Sequence, residues 1–325
     1  MMGSLLAAGS PLDHVVQHPI LEAGGFTILS NHIIMQILAA LLLILVIPRV
    51  LRTRAGTDEI GRLVPRGVGN AIEALCEALR NYVARPALGE YTDRFIVYIW
   101  SAFFFILTCN LLGMIPLADW TGPLGRWLPF LVVRAHGNPH PVLGGTATAN
   151  IWVTGTLAIC TLLMIVGNGL RLHGISYVRH FFMGPPGLNA FIALLEVVGL
   201  VAKTFALAVR LFANMIAGHV MLAVIIGFVS SAAAAYGAIA AVGVSIPVIL
   251  GAVALNFLEL FVAFLQAFIF TFLSAMFIGQ AVSIHHGEHE EHAAEAHAEL
   301  HAPARPGDLR LEAPVPAPVG AGAAE

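Results

Sequence analysis

Long unbroken apolar runs alternate along this chain with short polar stretches that carry glycine, proline or arginine. A run of roughly 18 or more apolar residues is long enough to cross hydrocarbon as a helix. The first such run extends from Ile28 to Val50 and closes on "PRVLRTR". The second runs from Phe95 to Pro116 and the third from Thr148 to Leu170. Two longer runs follow, Leu188–Val229 and Ser245–Ile284. Each would measure about 60 Å as one helix, against about 30 Å of hydrocarbon. Each therefore predicts either a pair of broken spans or one steeply tilted helix. No proline interrupts residues 190–245, and none follows Pro247 until the tail. Gly199, Gly218 and Gly227 could permit breaks, but glycine is common in membrane helices. The pattern favours two tilted helices in an antiparallel hairpin, residues 188–284, with its tip in "SSAAAAYGAIAAVG".

Three other segments differ. Residues 1–27 form a polar-flanked extramembrane segment containing His14, His18 and Glu22. Its start, "MMGSLLAAGSPLDH", has no basic region ahead of its short apolar run and is not read as a secretory signal. The stretch "GVGNAIEALCEALRNYV" has helical periodicity but is too polar to span, so it is expected on the cytoplasmic surface. From His285 to Glu325 the sequence is rich in Ala, Pro, Glu and His, with almost no large apolar residues, and predicts a disordered cytoplasmic tail.

Composition sharpens the class. Hydrophobic residues make up 58% of the chain and charged ones only 11%, where a soluble domain carries about a quarter charged residues. The expectation is an all-α multi-pass membrane protein, with residues 28–284 as its membrane domain. Between Arg49 and Arg94 stand eight arginines against six acids. Arginine excess beside membrane spans marks the cytoplasmic side, so the N-terminus is expected outside and the C-terminus inside. The Gly- and Pro-rich loop Leu117–Ala147, with two arginines, suits the outside. A net charge of −3 gives no footprint for nucleic acid. Cys76, Cys109 and Cys160 are scattered and pair at no metal or redox spacing.

The informative residues are the charges inside the apolar runs. Glu196, Lys203 and Arg210 are spaced seven apart, and Asn214 follows four after the arginine. At 100° per residue all four share one helical stripe, with His219 about 140° away from Asn214. In the last run Asn256, Glu259 and Gln266 lie within about 80° of one another. A hairpin folded about residue 238 sets Arg210 level with Gln266 and His219 level with Glu259. A charge at the bilayer centre costs at least about 2.5–3.5 kcal/mol, and arginine cannot escape by deprotonating. This chain has few free acids at that depth, so the partner acid of Arg210 is expected on another subunit. His219 and Glu259 can accept and pass protons, as intramembrane relays do. The alternatives are a static ion pair at Arg210, a snorkelling Lys203, a structural His219–Glu259 hydrogen bond, and plain helix-to-helix bonding by Asn256 and Gln266.

The segment "ALAVRLFANMIAGH" resembles the signature of subunit a of the F-type ATP synthases, with Ala206, Ala208, Arg210, Leu211 and Asn214 at the pattern positions. "FLELFVAFLQAFIFTFL" resembles that family's last helix, with its glutamine at Gln266, and "NLLGMIP" resembles the end of an earlier span. The resemblance covers residues 28–284. It implies a non-catalytic, proton-translocating subunit of a bacterial-type plasma membrane. The hairpin would pack against a rotating ring of c subunits, with peripheral-stalk b subunits, other ATP synthase subunits and lipid as further partners, and no cofactor or metal. Arg210 would face the ring carboxylates, with Asn214, Gln266 and Lys203 at the same interface. His219 and Glu259 would line the outer half-channel and Glu196 the inner one. Many relatives begin the third span with Asp-x-Asn, whereas "TATAN" puts Thr148 at the acid's position and keeps Asn150. The tail lies beyond the family pattern.

Two rival functions are set against it. A proton-coupled secondary transporter predicts internal repeats and broken helices, and the sequence has neither. A membrane metalloprotease is spelled by "HHGEH" in the tail, with His285, His286, His289 and His292 as candidate metal ligands, but no apolar framework surrounds it.

Overall fold

The computed structural model describes residues 19–23, 26–51, 67–115, 117, 132–135, 138–141, 145–180 and 188–282. Five helical segments within them are long and apolar enough to cross a membrane. The protein is a helical multi-pass membrane protein, as its periodicity predicts. The tail, residues 285–325, lies outside the described residues.

The first helix, α1, is Asn31–Leu51. Its N-terminal end is buried through Asn31, His32, Met35 and Ala39, while Ile37, Leu41, Ile44 and Val46 stay exposed. An apolar surface of that kind is suited to lipid. The span begins three residues later than expected because Ile28 belongs to a strand. Strands β1 (Pro19–Ala23) and β2 (Phe26–Ser30) pair antiparallel, and a second small hairpin joins β3 (Val132–Ala135) to β4 (Asn138–Pro141). Both hairpins lie outside the spans, where strand edges can be satisfied by water. The hydrophobic pattern did not foretell them.

The polar surface segment forms α2 (Val68–Ala78), which widens into a π-helical turn at Leu79–Ala84 and then α3 (Arg85–Leu88). A 3₁₀ turn at Gly89–Tyr91 leads into α4 (Thr92–Met114). The Trp100 indole donates to the Cys76 carbonyl at 2.9 Å, and Arg80 pairs with Asp93 at 2.5 Å. These two contacts fold α2 back along the start of α4.

Another 3₁₀ turn, Ala147–Ala149, precedes α5 (Ile151–His173). Asn150 caps α5, its side chain accepting from the Trp152 amide at 2.9 Å. An N-cap amide oxygen satisfies one of the free donors at a helix start. The helix stops at Gly174, whose φ of 55° suits glycine at a helix end. Next comes α6 (Ile175–His180), whose Tyr177 ring sits so close over Gly169 that a Cβ there would lie 2.6 Å from its Cε2.

Each of the two long runs is a single helix: α7 is Asn189–Tyr236 and α8 is Ala238–Val282. Gly237 alone separates them, with φ 84°, so the tip falls inside the predicted stretch. Pro247 is accommodated inside α8. The first half of α8 is largely exposed, whereas its second half is the centre of the bundle. Ala263, Ala267, Phe270, Ser274, Ala275 and Ile278 are buried there at helical spacing. Phe103 of α4 meets Phe264 edge-on at 5.6 Å between centroids. Small residues let helix backbones approach closely, the main source of packing energy in lipid. Gly279 is the tightest case: a Cβ on it would collide with the Ala87 carbonyl of α3. Gly279→Val is therefore expected to destabilise the fold by about 1–3 kcal/mol through overpacking. A lowered thermal midpoint of the detergent-solubilised protein checks this; an unchanged midpoint would disprove the contact.

Candidate functional site

Four polar residues of α7 occupy one stripe. Glu196, Lys203, Arg210 and Asn214 are all exposed along it, as their spacing requires. Asn214 Nδ2 donates to Gln266 Oε1 of α8 at 2.7 Å. Lys203 Nζ donates to Gln280 Oε1 at 3.4 Å and lies 5.4 Å from the Phe277 ring centroid. Gln266, expected level with Arg210, thus engages Asn214 instead, one turn further along. No acid among the described residues pairs with Arg210. Glu196 lies near Tyr177: burial pushes the Tyr177 phenol up, and the Glu196 charge adds to that.

Further along the hairpin the structure brings His219 and Glu259 together. His219 Nδ1 is 3.5 Å from Glu259 Oε1, with the carboxylate side chain 6% exposed and the imidazole 17%. The opposite ring nitrogen, Nε2, is hydrogen-bonded to the Thr146 hydroxyl. Both nitrogens of one imidazole are thus engaged, one toward an acid and one toward a hydroxyl. That geometry can carry a proton in at one ring nitrogen and out at the other. Gly218 makes room for it, since a Cβ there would sit 3.0 Å from Glu259 Oε1. Beyond the 3.5 Å approach of His219, the buried Glu259 Oε1 makes no hydrogen bond among the described residues, and neither does the buried Gln266 Nε2. They are seven residues apart on one face of α8. Buried polar groups of this kind demand a partner from water or another chain.

Asn256 does not join this face. It is exposed and its amide bonds the Ala252 carbonyl of its own helix at 3.0 Å. An asparagine can satisfy itself in this way when no neighbouring helix offers a partner.

Three site residues went unassigned by sequence reasoning: Thr146, Thr148 and Asn110. Thr146 reaches His219 from the 3₁₀ turn. Thr148 donates to Asn110 Oδ1 at 2.7 Å, and Asn110 Nδ2 donates to the Ala263 carbonyl at 3.2 Å. The hydroxyl at 148 thus ends in a neutral clamp between α4 and α8, and Asn150 serves as a helix cap. The signal available was the pair of threonines in "TATAN". Gly113 of "NLLGMIP" also has its reason here, since a Cβ there would overlap the Thr146 side chain.

Residues 33–279 match the family model described as ATP synthase A chain. The chain belongs to the ATP synthase A chain family. It is 38% identical over 299 residues to "ATP synthase subunit a 2" of Chlorobaculum tepidum, covering 90% of this chain and 72% of that one. It is 37% identical to "ATP synthase subunit a" of Chloroherpeton thalassium, covering 89% and 75%, and 36% identical to that of Anaeromyxobacter sp. strain Fw109-5, covering 88% and 62%. Within this ATP synthase A chain family member the matched span holds Glu196, Lys203, Arg210, Asn214, His219, Glu259 and Gln266. It ends one residue short of Gln280, the partner of Lys203. No group of three His, Cys, Asp or Glu side chains among the described residues is arranged to hold a metal. The histidines at 285, 286, 289 and 292 fall outside them.

The Asn110 clamp has a measurable worth. Asn110→Ala leaves the Thr148 hydroxyl and the Ala263 carbonyl without their buried partner, at a cost of about 1–3 kcal/mol. The expected readout is a lower thermal midpoint with an unchanged helix content. A midpoint equal to that of the parent would show that the clamp contributes nothing.

Proposed function

We propose that this chain is the stator half of a proton channel in the membrane sector of an ATP synthase, holding Arg210 against carboxylates on a rotating ring of c subunits. The observation that carries it is Arg210 itself: a permanent cation on an exposed stripe of a 48-residue apolar helix, with no acid beside it among the described residues. A guanidinium in hydrocarbon needs a counter-charge, and here a second molecule is left to supply it. Asn214 and Gln266, bonded to each other across the hairpin, border the same face.

The chemistry is proton hand-over without covalent steps. A proton from outside reaches His219 through Thr146 and water, moves to Glu259, and neutralises a ring carboxylate. The neutral carboxyl can then enter lipid, since burying it no longer costs the hydration of a charge. After nearly a full turn it reaches the half-channel beside Glu196 and releases the proton inward. Passing Arg210 it is held as the anion, because the neighbouring cation favours the charged form. A proton therefore cannot ride directly from one half-channel to the other. Each proton crossing 100 mV supplies about 2.3 kcal/mol to rotation. The arginine-rich segment between Arg49 and Arg94 supports an outside N-terminus and a cytoplasmic C-terminus in a bacterial plasma membrane. Peripheral-stalk b subunits and lipid complete the expected surroundings.

Arg210→Ala is expected to abolish proton-driven ATP synthesis in membrane vesicles. Synthesis at the parental rate would refute the role given to Arg210. The exchange of His219→Glu with Glu259→His tests the relay. Each single change should reduce synthesis at least tenfold, the scale of one lost proton-transfer group being about 10²–10⁴. The double change should recover part of it, and strictly additive losses would argue against a functional pair.

A further inference from the structure

Lys203 is the member of the exposed α7 stripe whose charge is tied across to α8. Its ammonium donates to Gln280 at 3.4 Å and lies over the face of Phe277 at 5.4 Å. A lysine left to itself near a membrane surface snorkels outward along its flexible stem. Here an amide oxygen and an aromatic face, three residues apart on α8, hold the ammonium beside the stripe instead. Phe attracts a cation through the negative face of its ring, and the amide oxygen adds a charge-assisted bond.

The surrounding charges are few. On α7 the neighbours are Glu196, seven residues before, and Arg210, seven after, with no other charge between them. On α8 the sole ionisable residue is Glu259, buried further out beside His219. At the helix ends nearby stand exposed Arg171, His173 bonded to the Val282 carbonyl, and Tyr177 buried near Glu196. Lys203 and Arg210 are separated along the helix by about 10 Å. The two cations therefore lie on one track, with Lys203 nearer the N-terminal end of α7.

We infer that Lys203 is a second cation of the ring-facing track, which keeps the ring carboxylate ionised while it stands in the inner half-channel. This rests on the function proposed above. A carboxylate that has given up its proton on the cytoplasmic side must stay charged until Arg210 takes over. A fixed ammonium about 10 Å short of Arg210 lengthens the zone in which the anion is favoured. Charges at such separations interact appreciably where water is scarce and little where it is abundant. Lys203 touches no reacting proton; it acts through the field.

The test uses inverted vesicles carrying the complete ATP synthase. ATP-driven proton pumping takes protons from the cytoplasmic face, so it fails as the pH there rises and the ring carboxylate no longer binds them. Lys203 disfavours that binding. Removing its charge therefore moves the failure to higher pH. Pumping, divided by ATP hydrolysis in uncoupled vesicles, is measured against cytoplasmic-side pH. For Lys203→Met the midpoint is expected to rise by roughly 0.5–1 pH unit. Lys203→Arg should keep the parental midpoint, and Phe277→Leu, which frees the ammonium while leaving its charge, should fall between. An unmoved midpoint in Lys203→Met, with Arg210→Ala still inactive, overturns this inference alone. Pumping that survived Arg210→Ala would remove the proposed function, and this inference with it.

Discussion

A guanidinium keeps its charge at any physiological pH, and hydrocarbon charges heavily for it. That constraint organises the hairpin. The charged residues of α7, Glu196, Lys203 and Arg210, share one exposed stripe because scattering them around the helix would put each in lipid without a partner. Two polar residues of α8 are handled in the opposite way. Glu259 and Gln266 are buried, each turned toward a polar group on α7. One helix exposes its charged stripe, and the other meets the polar residues of the first from behind.

The short 3₁₀ turn before α5 is where α1, α4 and the hairpin are joined. Ala147 enters the apolar cluster of Met35, Ala39, Cys109 and Leu112, which ties α1 to α4. Ala149, two residues on, packs with Met215 and Ala263 of the hairpin. Between and beside them, Thr146 reaches His219 and Thr148 reaches Asn110. Alanines fit because backbones approach closely at this junction, and threonines fit because each hydroxyl can both give and accept a hydrogen bond. Two spans and the hairpin are thereby tied together beside one imidazole.

Much of this was legible in the sequence, and for a physical reason. Apolar runs in a membrane protein are read by length alone, so α4 and α5 were located within three residues, whereas α7 and α8 each reach seven residues further into the tip than their apolar runs. The seven-residue spacing of Glu196, Lys203 and Arg210 told their common face, and a hairpin about residue 238 anticipated the approach of His219 to Glu259. What escaped depended on contacts between segments far apart in the chain. Thr146 meets His219 across 73 positions and Asn110 meets Ala263 across 153, and no local pattern announces either. The two small β-hairpins escaped because strands of four or five residues leave no sustained periodicity. Asn256, within about 80° of Glu259 and Gln266 on the wheel, bonds its own helix instead: angular proximity does not say whether a neighbouring helix is there to receive the side chain.

The single-residue joint at Gly237 turns the hairpin into a ruler. Two continuous helices meet there with nothing between them to absorb slack. Inserting or removing one residue on either side would turn that helix by about 100° and slide it by about 1.5 Å. His219 would then face away from Glu259, and Asn214 from Gln266. Composition in this region can drift as long as it stays apolar, whereas its length is held constant by the two cross-hairpin pairs, so relatives should differ here by substitution and not by gaps.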